Sequence, residues 1–512
     1  MMKRMTALIL AMALTAACTV ACGRGAKYAL PADFQPRAEI ADGTPAYEGR
    51  AEASGLHADG YLVSGGVPML MLGGQLRTDF FMHLEGRTID ELGDYFRLAR
   101  SLNITMVQVP ICWADIEPAK DNYTAEYVEK YIEYAEEYEM KLELLWFGSY
   151  MCGVTVEGYV PSYIADDTDT YPALRDHMYD GWIGRTYLLE PGTDALLERE
   201  TAAMRFMMQK IYEYDRMHGG KHTVVGVQIE NEPDMLVDPH AVEYADDPDD
   251  VAVALVKHLD MLGRAVTQSD YRCYTRVNLT DRRYLSYFTE HLVPTEGIDF
   301  VGLDPYNNQI GTIRSQLNAL KVPAGNFAHI AENGGEYTNN DQLELLAITM
   351  GCGYEVFEVV TTSDPQLVDW ELRGVFNTDF TKKAHTDRLI DANRIYRNGF
   401  LDLVLAGEGN VLGFNLTVNG GATISDETLT AGGVSIRHET QERGIAYAAV
   451  RDNRVVTVAS TKADVFTIGA NVVYAEKGYY SLDGVWHTEE VVDVRDGRLE
   501  AEAAAVYRLL TE

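Results

Sequence analysis

The fold is decided by residues 224–233, which read VVGVQIENEP. The valine-rich run up to Ile229 predicts a short strand buried on both faces, a form typical of parallel sheets that lie between helices. Residues 328–335, which read AHIAENGG, have the same form. Each stretch ends in a carboxylate, and parallel strands bring their carboxyl ends to one edge of a sheet. The two stretches therefore predict acidic side chains on a shared rim.

The alternation of short apolar runs with helical patterns continues over residues 66–400. Eight strands are predicted, at 69–72, 104–109, 142–147, 223–229, 273–277, 298–303, 327–331 and 354–360. Eight strand–helix units favour an α/β fold of the closed (β/α)8, or TIM, barrel type. A doubly wound open sheet is the alternative, and it is weakened because no G-x-G-x-x-G follows the first strand.

The regions on either side of the barrel have other patterns. Residues 401–512 contain short alternating runs separated by Asn-Gly and Asp-Gly pairs, which predict hairpins and an all-β, sandwich-like C-terminal domain. Residues 23–65 form a predicted N-terminal extension that adds strands or a loop to one of the two bodies.

The first 22 residues have the features of an export signal. Two basic residues precede an apolar run, Thr6–Val20, that ends among small residues and cysteines. We expect an exported protein that is lipid-anchored through Cys22 at a bacterial cell envelope, in the periplasm or at the cell surface. Cys18 is the rival lipidation site, and ordinary cleavage without lipid is the other alternative.

Composition excludes several classes of partner. The chain has 43 basic and 78 acidic residues, so its formal net charge is −35. Such a surface repels phosphate backbones and anionic lipids, so we expect no nucleic-acid partner and no membrane contact beyond the anchor. A neutral carbohydrate is compatible with this charge. Four widely spaced cysteines in the exported body predict free buried thiols, with a Cys112–Cys152 bridge as the alternative, and neither they nor the histidines form a metal-binding pattern.

Two facing carboxylates are the requirement of glycoside hydrolysis, in which one attacks the anomeric carbon and the other protonates the leaving oxygen. Glu332 supplies one, and Glu230 or Glu232 supplies the other. Asn231 favours Glu232, because an amide beside the acid can bind the sugar hydroxyl next to the anomeric carbon. Glu230 is then a structural acid.

The chain resembles the retaining (β/α)8-barrel glycosidases, and more closely glycoside hydrolase family 35 with its bacterial β-galactosidases. The matching stretches are residues 71–74, Trp113 with 116–118, 144–149, 159–163, 227–232, 299–306 and Glu332. The resemblance implies that Glu232 is the acid/base, Glu332 the nucleophile, Asn231 the amide contact and Tyr306 a hydrogen-bond donor to the nucleophile. It implies no metal and no organic cofactor.

Further residues bear on the substrate. Trp113 and Trp146 lie at predicted strand ends, where they either stack on the sugar or pack in the core. The chain departs from the family at Gln75, where a glutamate is usual, at Pro233-Asp234 and at residues 149–153. We therefore expect a retaining exo-β-glycosidase, β-galactosidase-like, that acts on terminal β-linked sugars. The alternatives are an endo-β-glycanase on the same barrel and a glycan-binding surface lipoprotein without activity.

Overall fold

The computed structural model describes residues 54–57, 60–181, 184–238, 247–280, 283–293, 295–322, 325–362, 373–416, 426–439 and 444–512. Residues 1–53, with Cys18 and Cys22, lie outside these ranges, so export and lipidation stay predictions. Among the helices of the described ranges, none is both long enough and apolar enough to cross a membrane.

Eight parallel strands close into a barrel, as the sequence predicts. In chain order they are β4 (Leu72–Gln75), β5 (Met106–Cys112), β6 (Lys141–Met151), β10 (Val224–Asn231), β11 (Tyr274–Thr280), β12 (Phe300–Asp304), β13 (His329–Gly334) and β14 (Gly353–Phe357). Each strand pairs with the next one in this order, and β14 pairs with β4. The alternative of an open, doubly wound sheet is therefore wrong.

Helices follow the barrel strands along the chain. They are α1 (Gly93–Ser101), α2 (Trp113–Ile116), α3 (Glu126–Glu137), α4 (Ser162–Ala165), α5 (Asp194–Met217), α6 (Pro248–Thr267), α7 (Leu285–Leu292), α8 (Ile310–Leu320), α9 (Asn340–Thr349) and α10 (Thr386–Ala406). Within the described ranges there are also short 3-10 turns at Ile89–Leu92 and Pro233–Leu236 and a π turn at Phe80–Leu84. A capping box opens the first 3-10 turn, where the backbone N–H of Thr88 donates to Glu91 at 2.7 Å.

The barrel interior changes from apolar to ionic along the strands. Near the amino ends, Met71, Met106, Val225, Tyr274 and Phe300 belong to one buried apolar cluster. Two residues further along β11, Arg276 donates to Glu143 at 2.5 and 2.7 Å and to Glu355 at 3.1 Å. All three side chains are fully buried, so Arg276 and the two glutamates compensate one another at close range, and Gln108 donates to both glutamates at 2.7 Å.

Small sheets flank the barrel strands. β1 (Gly55–Leu56), β2 (Leu62–Ser64) and β3 (Val67–Met69) form an antiparallel sheet whose Leu62 packs into the apolar cluster at the amino end of the barrel. The segment between β6 and α5 contains a second sheet, which the sequence analysis did not predict. Its strands are β7 (Thr155–Val156), β8 (Ala173–Gly181) and β9 (Gly184–Leu189).

The C-terminal domain is a β-sandwich. One sheet has six strands in the order β15-β18-β19-β24-β21-β22, and the other has four in the order β16-β17-β20-β23. The strands are β15 (Val411–Phe414), β16 (Glu427–Ala431), β17 (Val434–Glu439), β18 (Ala446–Arg451), β19 (Val455–Ser460), β20 (Asp464–Ile468), β21 (Val472–Tyr480), β22 (Trp486–Val491), β23 (Arg498–Ala501) and β24 (Ala505–Thr511). Residues of both sheets form one buried core. Helix α10 ends at Ala406, six residues beyond the predicted domain boundary at 400.

Candidate active site

The carboxyl rim of the barrel carries the candidate catalytic residues. Glu332 lies within β13, while Glu232 follows directly after β10. Asp304 ends β12, and Tyr306 lies two residues beyond it. Asn278 of β11 contributes an amide between these strands. The four strands β10 to β13 are consecutive neighbours in the barrel, so their ends share one side of the rim.

Glu332 is buried and held by Tyr306. Its side chain is only 5% exposed, and the Tyr306 hydroxyl donates a hydrogen bond to its Oε2. Burial raises the pKa of Glu332, while the bond from Tyr306 and the charges of Arg77, Arg276 and Arg373 act in the opposite direction. Four groups in or below the site thus favour the carboxylate form of Glu332.

Tyr306 is itself fixed by its neighbours. The Arg373 guanidinium lies 4.2 Å from the centroid of its ring, and the Phe357 ring stands nearly perpendicular to it with the two centroids 5.9 Å apart. Burial raises the pKa of Tyr306 well above its usual range, and the charges of Glu332 and Glu232 add to the effect. The hydroxyl therefore keeps its proton and remains a donor to Glu332.

Glu232 has a more open environment than Glu332. Its backbone is left-handed, with φ at 43°, and its N–H donates to Asn278 Oδ1 at 3.0 Å. The carboxylate is half-buried, and its Oε2 accepts the thiol of Cys152 at 3.2 Å. A half-buried carboxyl group can exchange protons with a leaving group or with water, which a fully enclosed one cannot.

Glu232 and Glu332 both raise the pKa values of the same neighbouring side chains. Burial raises the pKa of Asp304 well above its usual range, with further contributions from Glu332 and Glu232. The pKa values of Tyr306 and Cys152 are likewise raised by burial first and by both glutamates after it. Three side chains from the ends of two strands, β12 and β6, therefore lie near both carboxylates.

Asn231 and Asn278 form a connected amide pair. Asn231 Oδ1 accepts from Asn278 Nδ2 at 2.9 Å and from Gln228 at 3.2 Å. Asn278 Nδ2 also donates to Asp304 Oδ2 at 2.6 Å. The sequence analysis missed Asn278, although it directly follows the predicted strand 273–277. The position after a predicted strand was the signal that could have found it.

Glu230 belongs to a different assembly from Glu232. It is fully buried, and it accepts the backbone N–H groups of Gly148, Ser149 and Tyr150 at 3.1, 2.8 and 3.0 Å. Glu200 of α5 lies beside it and accepts the Trp146 indole N–H at 2.9 Å. Burial raises the pKa of Glu230 well above its usual range, and the charge of Glu200 adds to this. We call Glu200 and Glu230 together the carboxylate clamp, and its structural role agrees with the prediction for Glu230.

Two clusters bring three possible metal ligands within 4.8 Å of one another: the carboxylate clamp with His258, and His83 with Cys112 and Asp115. Hydrogen bonds account for both. His258 lies 3.1 Å from Glu200, and Asp115 accepts the Cys112 N–H at 3.0 Å. The absence of a metal and of an organic cofactor remains a prediction from the sequence. The four described cysteines are free and buried, which confirms the predicted thiols and excludes the Cys112–Cys152 bridge.

Of the two alternatives for Trp113 and Trp146, stacking on a sugar or packing in the core, the structure favours packing in the core. Both side chains are 0% exposed. The Trp113 indole donates to buried Glu117 at 3.1 Å, and Trp146 donates to the carboxylate clamp. Each ring therefore packs in the core, where its polar N–H finds a buried carboxylate partner.

The chain was compared with protein families, curated proteins and solved structures. Residues 254–419 match a family model described as "Domain of unknown function (DUF4978)". No curated protein matches the chain at a significant level.

Among solved structures, the chain is similar to an exo-β-1,4-mannosidase from Opitutaceae bacterium strain TAV5, at 14% identity and a TM-score of 0.48, with 66% of this chain and 62% of that one covered. It is similar to a β-galactosidase from Marinomonas ef1 at 10% identity and a TM-score of 0.45, covering 64% and 59%. A family 39 glycoside hydrolase from Bacteroides cellulosilyticus WH2 is similar over 88% of this chain and 84% of that one, at 12% identity and a TM-score of 0.41. The chain thus spans less than two thirds of the length of the first two, and all three are glycoside hydrolases.

Proposed function

We propose that the chain is a retaining exo-β-glycosidase, β-galactosidase-like, that releases terminal β-linked sugars from oligo- or polysaccharides by double displacement. One observation carries the proposal: at one rim of a (β/α)8 barrel, the Glu232 N–H bonds Asn278, Asn278 bonds Asp304 at the end of β12, and Tyr306, two residues further on, bonds Glu332. Two carboxyl groups that face one space supply the nucleophile and the proton donor that glycoside hydrolysis needs.

In the first displacement, the Glu332 carboxylate attacks the anomeric carbon. The bond from that carbon to the leaving oxygen breaks, and the Glu232 carboxyl group gives its proton to this oxygen. A glycosyl ester on Glu332 results. In the second displacement, the Glu232 carboxylate takes a proton from water, the water oxygen attacks the anomeric carbon, and the ester bond breaks to restore the Glu332 carboxylate.

The environments of the two glutamates support this division of roles. The nucleophile must be ionised, and Glu332 receives the Tyr306 hydroxyl and lies in the field of three arginines. The acid/base must exchange protons with successive partners, and Glu232 is the more exposed of the two. Asn231 lies directly before Glu232, where its amide would bind the 2-hydroxyl of the sugar, a contact that strengthens in the transition state.

The choice of galactose rests on the resemblance to family 35, and the departures from that family make it a question for experiment. Gln75 ends β4 on the same rim and is 1% exposed. An amide there can donate as well as accept, so it recognises a sugar hydroxyl differently from a glutamate.

The test is hydrolysis of nitrophenyl β-galactoside, β-glucoside, β-N-acetylglucosaminide and α-arabinoside by the purified chain. Turnover of one of them would support exo-action and identify the sugar, and proton NMR of the first product would give the anomeric outcome. An inverted product would overturn the double displacement. No release from any of these glycosides, together with cleavage of a polysaccharide, would favour an endo-β-glycanase, and binding without cleavage would favour a glycan-binding lipoprotein.

The roles of the two glutamates can be separated with azide. In Glu232→Ala, azide would attack the glycosyl ester and give a β-glycosyl azide. In Glu332→Ala, it would attack the substrate directly and give the α-glycosyl azide. Glu230→Gln is the matched control at the neighbouring position, and azide should give no glycosyl azide with it. Exchanged products would reverse the assignment, and wild-type turnover by Glu232→Gln or Glu332→Gln would contradict it.

A further inference from the structure

Cys152 lies at the turn that follows β6 and is pressed against the segment that carries Glu232. Its N–H donates to the backbone oxygen of Asn231 at 2.7 Å. Cys152 and Gly153 both have left-handed backbones, with φ at 50° and 71°. A Cβ on Gly153 would lie 2.1 Å from the backbone nitrogen of Leu236, so only glycine allows this approach. The turn is thus fitted closely onto the 3-10 segment after Glu232.

The Cys152 sulfur connects two residues of the candidate active site. Asn231 Nδ2 donates to it at 3.5 Å, and its own S–H donates to Glu232 Oε2 at 3.2 Å. The side chain is 3% exposed. Burial raises the pKa of Cys152 well above its usual range, and the charge of Glu232 adds to the effect, so the thiol keeps its proton. The thiol proton is therefore available for the hydrogen bond to the Glu232 carboxylate.

We propose that Cys152 is a positioning residue for the acid/base, whose S–H holds Oε2 of Glu232 and directs the transferable proton to the other carboxyl oxygen. The inference rests on the proposed function. A proton on Oε2 would face the thiol proton, whereas a proton on Oε1 leaves the S–H bond intact. The Asn231 amide, which donates to the same sulfur, is thereby tied to the carboxyl group beside it.

The proposed role predicts the direction in which the pKa of Glu232 changes when the thiol is removed. A donor to the charged form of a carboxyl group lowers its pKa, and loss of the donor raises it. In a bell-shaped profile of kcat/KM, the alkaline limb reports the acid that must be protonated. Cys152→Ala should therefore move this limb to higher pH, by about half a unit for a weak S–H bond. Cys152→Ser offers a stronger O–H donor and should move the limb to lower pH.

The experiment compares pH profiles of kcat/KM for the wild type, Cys152→Ala and Cys152→Ser on whichever nitrophenyl glycoside the wild type hydrolyses. Cys352→Ala is the matched control, because Cys352 is equally buried but lies before β14, at the opposite end of the barrel. Its profile should coincide with that of the wild type. Opposite shifts for Ala and Ser support the proposal, whereas three coincident limbs, or shifts of the same sign, overturn it.

A second measurement does not depend on activity. The infrared S–H stretching band of Cys152 is identified by its loss in Cys152→Ser. In Glu232→Ala, this band should move to higher frequency, because the acceptor is gone. An unchanged band would overturn the thiol–carboxyl contact. If the band shifts in Glu232→Ala while the wild-type protein hydrolyses no glycoside, the contact exists and the proposed function has failed.

Discussion

The side-chain oxygen of Asn278 accepts the backbone N–H of Glu232 at 3.0 Å, and the same amide donates to Asn231 at 2.9 Å. One residue of β11 thus holds two consecutive residues at the end of β10. Glu232 has a left-handed backbone, which costs free energy in a residue that carries a Cβ. The bond from its N–H to Asn278 helps to offset that cost and sets the direction of the carboxylate.

Asn278→Ala should lower kcat/KM by about 10- to 100-fold, because two neutral hydrogen bonds and one to a carboxylate are lost. The loss should be smaller on a 2-deoxy glycoside, since Asn278 acts partly through the Asn231 amide and its proposed contact with the 2-hydroxyl. Asn326→Ala is the matched control: this amide bonds Val301 at 2.8 Å at the other end of the barrel. Equal losses of kcat/KM on the two substrates would show that Asn278 does not act through Asn231.

Tyr306→Phe should move the acidic limb of the kcat/KM profile to higher pH. The hydroxyl favours the Glu332 carboxylate, so its removal raises the pKa of Glu332, and the nucleophile is then ionised only at higher pH. A hydrogen bond to a charged group also predicts a loss of about 10- to 100-fold in kcat. Tyr271→Phe, which loses a bond to the Val224 carbonyl, serves as control and should leave the limb in place. An unmoved limb in Tyr306→Phe would mean that another group titrates there.

Glu358→Gln should change how stability depends on pH. Burial raises the pKa of Glu358 to about 8, against the opposing bond from the Thr362 N–H and the charge of Arg77. Between its unfolded value of 4.5 and 8, the folded protein keeps a proton that the unfolded chain releases. The wild type therefore loses stability as pH rises through this window, at up to about 1.4 kcal/mol per pH unit.

Urea unfolding of the wild type and Glu358→Gln at pH 5, 6, 7 and 8 measures this difference. The variant should become progressively more stable than the wild type up to pH 8. Glu290→Gln, at an exposed position on α7, gives the reference slope for removal of a carboxylate at the surface. Parallel curves for the wild type and Glu358→Gln would show that Glu358 does not hold its proton in the folded state.

Asp402→Ala should destabilise the contact between the barrel and the sandwich. Asp402 lies in α10 and accepts Thr457 at 2.7 Å and Tyr480 at 3.1 Å, while Arg451 and Arg508 lie 3.0 and 3.3 Å from its oxygens. Removal of the carboxylate leaves two buried guanidinium groups without their shared partner, which costs about 3–5 kcal/mol.

The measurement for Asp402→Ala is the thermal midpoint, which should fall by several degrees. Thr457→Val removes one hydrogen bond without uncovering a charge and should have a much smaller effect. If the two variants behaved alike, the ion pairs of Asp402 would contribute little to the interface.

Much of the barrel could be predicted from sequence, because its strands are apolar on both faces and separated by amphipathic helices. The predicted strand at residues 273–277 ends before Asn278, while β11 continues to Thr280. Similarly, β10 continues to Asn231 and β12 to Asp304, two polar residues that a one-dimensional reading assigns to loops. The reason is physical: in this barrel the carboxyl ends of the strands carry the polar residues of the candidate site.

The remaining differences come from contacts between distant parts of the chain. Trp146 is drawn into the core by Glu200, which is 54 residues away in sequence, so no local pattern indicates its burial. Arg276 appears within an apolar strand, and its partners Glu143 and Glu355 are known only once the barrel has closed. Cys152 meets Glu232 for the same reason.

Glu230 of the carboxylate clamp holds β6 through the backbone N–H groups of residues 148–150, and these bonds do not depend on the side chains beyond them. Gly148 is constrained in type, because a Cβ there would lie 1.9 Å from Glu200, and Trp146 and Ser149 donate to Glu200 with their side chains. The segment between β6 and α5 could thus change in sequence while its attachment to the barrel stays in place. Under the proposed function, new glycan specificities would evolve in this segment, while Glu232 and Glu332 are retained.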